Sequence, residues 1–140
     1  MIQRQQTLWL LLVAIAAGLT FKFPFATGLE QVDKTAMQSG VELTAGSNVF
    51  TLLLTITAIL LALITIFQFK DRKLQLKMCI IGLLVSVGNL AIYITYMQKL
   101  IKPTPALWAV LAALMVVGFF LAWRNIRKDE KLVKSLDKLR

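Results

Sequence analysis

Four long apolar blocks limit what this chain can fold into. Residues 49–69, 78–97 and 106–123 carry no charged side chain, and residues 8–25 carry only Lys22. A hydrocarbon core about 30 Å thick needs roughly 20 apolar residues in a helix rising about 1.5 Å per residue. Each block meets or approaches that length and lacks the period-two alternation of a half-buried strand. Helices satisfy all their backbone hydrogen bonds internally, which lipid demands. The composition agrees: the chain is 58% hydrophobic and 16% charged, against about half and about a quarter in soluble domains. The expected fold is an all-α membrane protein with four antiparallel transmembrane helices in a left-handed bundle over residues 1–123. A basic amphipathic helical tail, residues 124–140, is expected to follow it into the cytoplasm.

Local signals set the expected boundaries. Ser47 and Asn48 suit the opening of the second helix, and Asp71 that of the third. The run Lys102-Pro103-Thr104-Pro105 is expected to break one helix and restart another, with Pro105 in a first turn. The connections 70–77 and 98–105 are short enough to make their flanking helices antiparallel neighbours. Residues 28–48 read as a polar loop with too few apolar residues for a domain of their own.

Charge gives the orientation. Twelve of the sixteen Lys and Arg residues fall on one side: Arg4, then Lys70, Arg72, Lys73 and Lys77, then the seven of the tail. Lys22, Lys34, Lys99 and Lys102 fall on the other, with Glu30, Asp33 and Glu42. The positive-inside rule therefore places both termini in the cytoplasm. A cleaved signal peptide is the rival reading of the N-terminus, but Phe21, Phe23, Pro24 and Phe25 make a bulky ending unlike a cleavage region. Lys22 is expected to snorkel outward from its span, and Trp9, Trp108 and Trp123 to sit near span ends in the aromatic belt.

Membrane helices associate through small residues and interhelical hydrogen bonds. Gly82, Ser86, Asn89, Tyr93 and Tyr96 recur at spacings of four and three and define one face of the third helix. Thr51, Thr55, Ala58, Ala62 and Thr65 do the same on the second. Ala14 and Gly18 are the candidates on the first, and Ala106, Ala109 and Ala113 on the fourth. Asn89 lies mid-span, where an unpaired amide is costly, and Thr55 or a backbone carbonyl is its expected partner. The alternative is that Ser86, Asn89 and Tyr93 line a polar path for a small solute.

Other chemistry is missing. All seven acidic residues lie outside the apolar blocks and there is no histidine, so the groups of a proton-coupled transporter or an intramembrane protease are lacking. A single cysteine, Cys79, cannot make a disulfide framework or a metal cluster. No catalytic residue, metal or cofactor is expected, and a lipid-modifying enzyme is disfavoured by the same lack of acid–base groups. The tail carries Ile126, Leu132, Val133, Leu136 and Leu139 as an apolar stripe, with Glu130 and Lys134 paired four apart. Lys70, Arg72, Lys73 and Lys77 with Arg127, Lys128, Lys131 and Lys134 form a candidate basic docking surface for a protein partner or lipid headgroups. Nucleic acid is disfavoured, since no stacking aromatics are interleaved with the basic residues.

Three segments carry a resemblance. Met1-Ile2-Gln3-Arg4 with Gln6-Thr7, residues 66–75 (IFQFKDRKLQ) and residues 127–140 (RKDEKLVKSLDKLR) resemble, in order, motifs of a domain-of-unknown-function family of small four-span membrane proteins of Bacteroidota. The resemblance implies a bacterial inner-membrane location and a retained first helix, and supplies no activity or catalytic residue. The expected role is that of a non-catalytic accessory or scaffolding subunit of a membrane assembly, in contact with lipid and with an inner-membrane or cytoplasmic protein. A small-solute channel or transporter is the competing reading, and oligomeric state stays open.

Overall fold

The computed structural model describes residues 2–30 and 39–140, with side chains for residues 5–29 and 40–140. Asp33 and Lys34, and the side chains of Arg4 and Glu30, which entered the charge argument, lie outside the described residues. Among the described residues there are four helices: α1 (Ile2–Leu19), α2 (Val49–Phe67), α3 (Arg72–Lys99) and α4 (Ala109–Lys138). Of these, α2, α3 and α4 are long and apolar enough to cross a membrane, while α1 contributes a shorter apolar helix, Gln5–Leu19. They pack in a ring in which α1 touches α2 and α4, and α3 touches the same two. Pairings such as Asn89 with Thr55 and Gln75 with Thr65 make α2 and α3 antiparallel.

The all-α expectation fails at one end of the bundle, which carries a three-stranded sheet. Strands β1 (Ala26–Glu30), β2 (Ser39–Leu43) and β3 (Ile101–Pro105) are ordered β2-β1-β3, all antiparallel. The segment read as a polar loop, residues 28–48, thus supplies all of β2 and most of β1. The Lys-Pro-Thr-Pro run supplies the third instead of a helix start, and α4 begins at Ala109, beyond Pro105. Pro103 and Pro105 are tolerated because β3 is an edge strand, bonded only to β1. Lys102 adopts φ 51°, the left-handed region, where the register between β1 and β3 shifts. Opposite that irregularity, Gly28 lies beneath Leu100, whose Cβ would be 2.7 Å from any Cβ added there.

The sheet closes over a cluster of Phe25, Ala26, Leu43, Tyr93 and Ala112, with Phe25 stacked on Tyr93 at 4.8 Å between ring centroids. Backbone bonds from Ala45 to Thr20 and from Ala106 to Phe25 tie it to the chain leaving α1 and entering α4. Helix α1 accordingly stops at Leu19, six residues before the expected end of its span. Lys22 is therefore exposed in the turn after the helix.

Helix starts follow the sequence signals in part. Asn48 accepts from the Phe50 amide at 3.4 Å, whereas Ser47 accepts from Thr44 N and donates to Glu42 O in the preceding turn. Asp71 occupies the cap position of α3 without a side-chain capping bond. The α2 seam is buried as a set: Thr51, Thr55, Ala58, Ala62 and Thr65. The seams proposed for α1 and α4 are displaced. Gly18 and Ala113 are exposed. The inner face of α1 is instead Gln6, Leu10, Val13 and Ala17, continued by Thr20 just past the helix end, and that of α4 includes Met115, Phe119, Ala122 and Ile126. Large side chains fill these contacts, and small residues receive them: the Phe119 ring lies where a Gly82 side chain would begin, and Val13 does the same at Gly118.

Candidate functional site

On α3 the buried face runs Gln75, Cys79, Gly82, Ser86, Asn89 and Tyr93, with Tyr96 half-buried beyond it under Lys99, 5.0 Å from its ring. Asn89 donates from Nδ2 to Thr55 Oγ1 at 3.0 Å, across to α2. Ser86 donates to its own helix at Gly82 O, 2.8 Å, and Thr51 donates to Ala45 O and Asn48 O. The Tyr93 hydroxyl faces Thr20 and Thr55, and Asn89 Oδ1 lacks a partner. Gly82 is closed off by Phe119. This face is occupied by α2 and α4. Replacing Asn89 with Leu should cost roughly 0.6–2 kcal/mol, near the lower figure because the change also removes an unpartnered acceptor. Thr55→Ala, which strands the whole amide, should cost more. Thermal unfolding in mild detergent checks the order, and equal stability of wild type and both variants would contradict it.

At the opposite end from the sheet the chain forms an open cleft of about 560 Å³ lined by Gln6, Thr7, Leu8, Ile66, Phe69, Arg72, Gln75 and Asp129. Four elements build it, because the second turn of α1, the first turn of α3, the end of α2 and the C-terminal half of α4 come to one level. Arg72 Nε lies 3.4 Å from Asp129 Oδ2, both partly buried. Gln75 donates to the free carbonyl of Thr65, at 3.2 Å, near the end of α2. Gln6 is 4% exposed and its Nε2 has no partner. Apolar walls with a few convergent polar groups are the ordinary make-up of a ligand site.

The basic residues divide between two faces of α4. Lys70, Arg72, Lys73 and Lys134 gather with Asp71 and Glu130 in one groove, and Arg127, Lys128 and Lys131 lie with Trp123 and Arg124 in another. Lys77 is exposed and lines neither. Lys134 Nζ is 2.9 Å from Glu130 Oε1, the i,i+4 pair expected from sequence. That hydrogen bond holds the Glu130 carboxyl below its usual pKa range, assisted by the charges of Lys134, Lys73 and Arg127. Arg127 lies 5.2 Å from the centre of the Trp123 ring. Among the described residues no three His, Cys, Asp or Glu side chains come together as a metal site would need.

The sequence marked Arg72 as part of a basic docking surface, without Gln6, Gln75 or Asp129 as its companions. The signal was present: Gln6-Thr7, the 66–75 segment and the 127–140 segment each contribute to the lining. A family described as "Domain of unknown function (DUF4293)" matches residues 2–139. The chain belongs to that family. No curated protein and no solved structure matches it. Within this family member, the three segments on which the resemblance rested converge on one cleft, although about sixty residues separate each from the next along the chain.

Proposed function

We propose that this protein is a non-catalytic accessory or scaffolding subunit of an assembly in the inner membrane of a Bacteroidota cell. It crosses the bilayer four times, and its tail docks a cytoplasmic protein. The three long apolar helices support the membrane location. Helix α1 runs beside α2 and α4 and so shares their layer. Both chain ends lie at the end away from the sheet, since Gln6 and Asp129 meet in one cleft, and the positive-inside rule makes that end cytoplasmic.

One observation carries the docking role. Helix α4 continues unbroken from Ala109 to Lys138. The fifteen residues beyond Trp123 extend roughly 22 Å at the helical rise. On that extension Leu132, Leu136 and Leu139 are exposed along one face. A helix that continues the direction of its own span carries Leu136 and Leu139 roughly 10–15 Å beyond the level of Asp129, away from the bilayer surface. Flanking Lys128, Lys131 and Lys138 select an acidic amphipathic helix as the occupant, apolar on one face and carboxylate-bearing at its edges. The packed α3 face supports this reading over a solute path.

Truncation after Glu130 keeps the Arg72–Asp129 pair and removes the stripe. Purification of full and truncated chains in mild detergent should recover the same partner only with the full chain, while both remain in the membrane fraction. Leu132→Glu with Leu136→Glu should abolish the same contact, and Lys131→Glu should weaken it most at low salt, since exposed charges are screened over about 8 Å at physiological ionic strength. Identical co-purifying proteins from all four chains would overturn the docking role.

A further inference from the structure

The cleft describes its own ligand. It sets a guanidinium beside a carboxylate, Arg72 and Asp129 at 3.4 Å, above walls made by Leu8, Ile66 and Phe69. Leu8 and Phe69 remain exposed at 63% and 61%, so the apolar side of the cleft is open to whatever surrounds the bundle. Inside it, Gln6 Nε2 is a buried donor with no acceptor, a costly arrangement unless a ligand atom completes it. We propose that this cleft binds a phosphatidylethanolamine-type lipid. The phosphate lies against Arg72 and the Gln6 amide, the primary ammonium against Asp129, and the first acyl segment along Leu8, Ile66 and Phe69.

The charges choose this headgroup. Within the cleft lining Asp129 is the counter-ion of Arg72, so a purely anionic headgroup meets a carboxylate beside the guanidinium. A zwitterion engages both groups at once. A primary ammonium donates hydrogen bonds to that carboxylate, and a quaternary one has none to give. Quaternary headgroups are held by aromatic cages, and Phe69 is the one aromatic side chain in this lining. The inference rests on the membrane reading above, because it needs lipid at the level of the cleft. It is independent of the exposed tail stripe.

Native mass spectrometry of the full chain in mild detergent tests it with lipids of matched acyl chains. Phosphatidylethanolamine should be retained best, its N-methyl and N,N-dimethyl forms progressively less, and phosphatidylcholine roughly tenfold less, the scale of a hydrogen bond to a charged group. Phosphatidylglycerol should do no better than phosphatidylcholine. Glycerophosphoethanolamine, the free headgroup, should bind weakly for want of chains. Gln6→Leu should lower retention of phosphatidylethanolamine several-fold, Asp129→Asn should flatten the methylation series, and Leu136→Glu should change neither. Equal retention across the series by the unmodified chain would overturn the site without any question of folding. So would a preference for phosphatidylglycerol, or tight binding of the free headgroup. Release of the chain from membranes by alkaline carbonate would instead defeat the membrane reading itself.

Discussion

Replacing Phe119 with Ala should destabilise the bundle by about 3–5 kcal/mol, the cost of emptying a fully buried aromatic site. Phe119 is completely buried on α4, and its ring fills the space above Gly82 of α3. The contact works only as a pair. Gly82→Ala places a methyl group in the ring's position and should cost about 1–3 kcal/mol by overpacking. Combining Gly82→Ala with Phe119→Leu should cost less than the sum of the single changes, because the smaller side chain vacates the space that the new methyl needs. Unfolding in mixed detergent micelles, followed by helical circular dichroism, measures all three. Strict additivity, or no loss from either single change, would contradict the knob-and-hollow contact.

The same contact explains what sequence patterning could and could not read. The α2 seam was legible because its inner residues are all small or hydroxylated, Thr51 to Thr65, as the small-residue rule requires. The rule misplaces the seams of α1 and α4, which present Leu10, Val13, Met115 and Phe119, with Gly118 receiving Val13 and Gly82 receiving Phe119. A strict four-three spacing is the better guide. Gln6, Leu10, Val13, Ala17 and Thr20 follow it, and so do Gln75, Cys79, Gly82, Ser86, Asn89 and Tyr93. Following that spacing past the edge of the apolar block leads from Cys79 to Gln75 and into the cleft. Starting the third span at Met78 hid it.

The sheet was not legible for a different reason. Each strand has five residues interrupted by a glycine or prolines, Gly28, Gly40, or Pro103 with Pro105, residues depleted in strands. Pairing is imposed by the helix ends, which bring the α1–α2 and α3–α4 connections side by side, so tertiary context outweighs strand propensity. Asp129 escaped notice as well. In sequence it is one acidic residue in a basic tail, and only the α3–α4 packing sets it against Arg72.

Cysteine accessibility tests the central claim of a membrane-embedded bundle with its sheet outside and its tail inside. Cys79 is buried, and Cys79→Ser gives a background without thiols. Glu42 lies exposed on β2 and Ser135 exposed on the extension of α4. In intact cells a membrane-impermeant maleimide should label Glu42→Cys fully and leave Ser135→Cys untouched until the membrane is permeabilised. Labelling of Ser135→Cys in intact cells with protection of Glu42→Cys would invert the orientation and remove the tail from any cytoplasmic partner. Equal labelling of both positions only after lysis would contradict the four-span embedding itself.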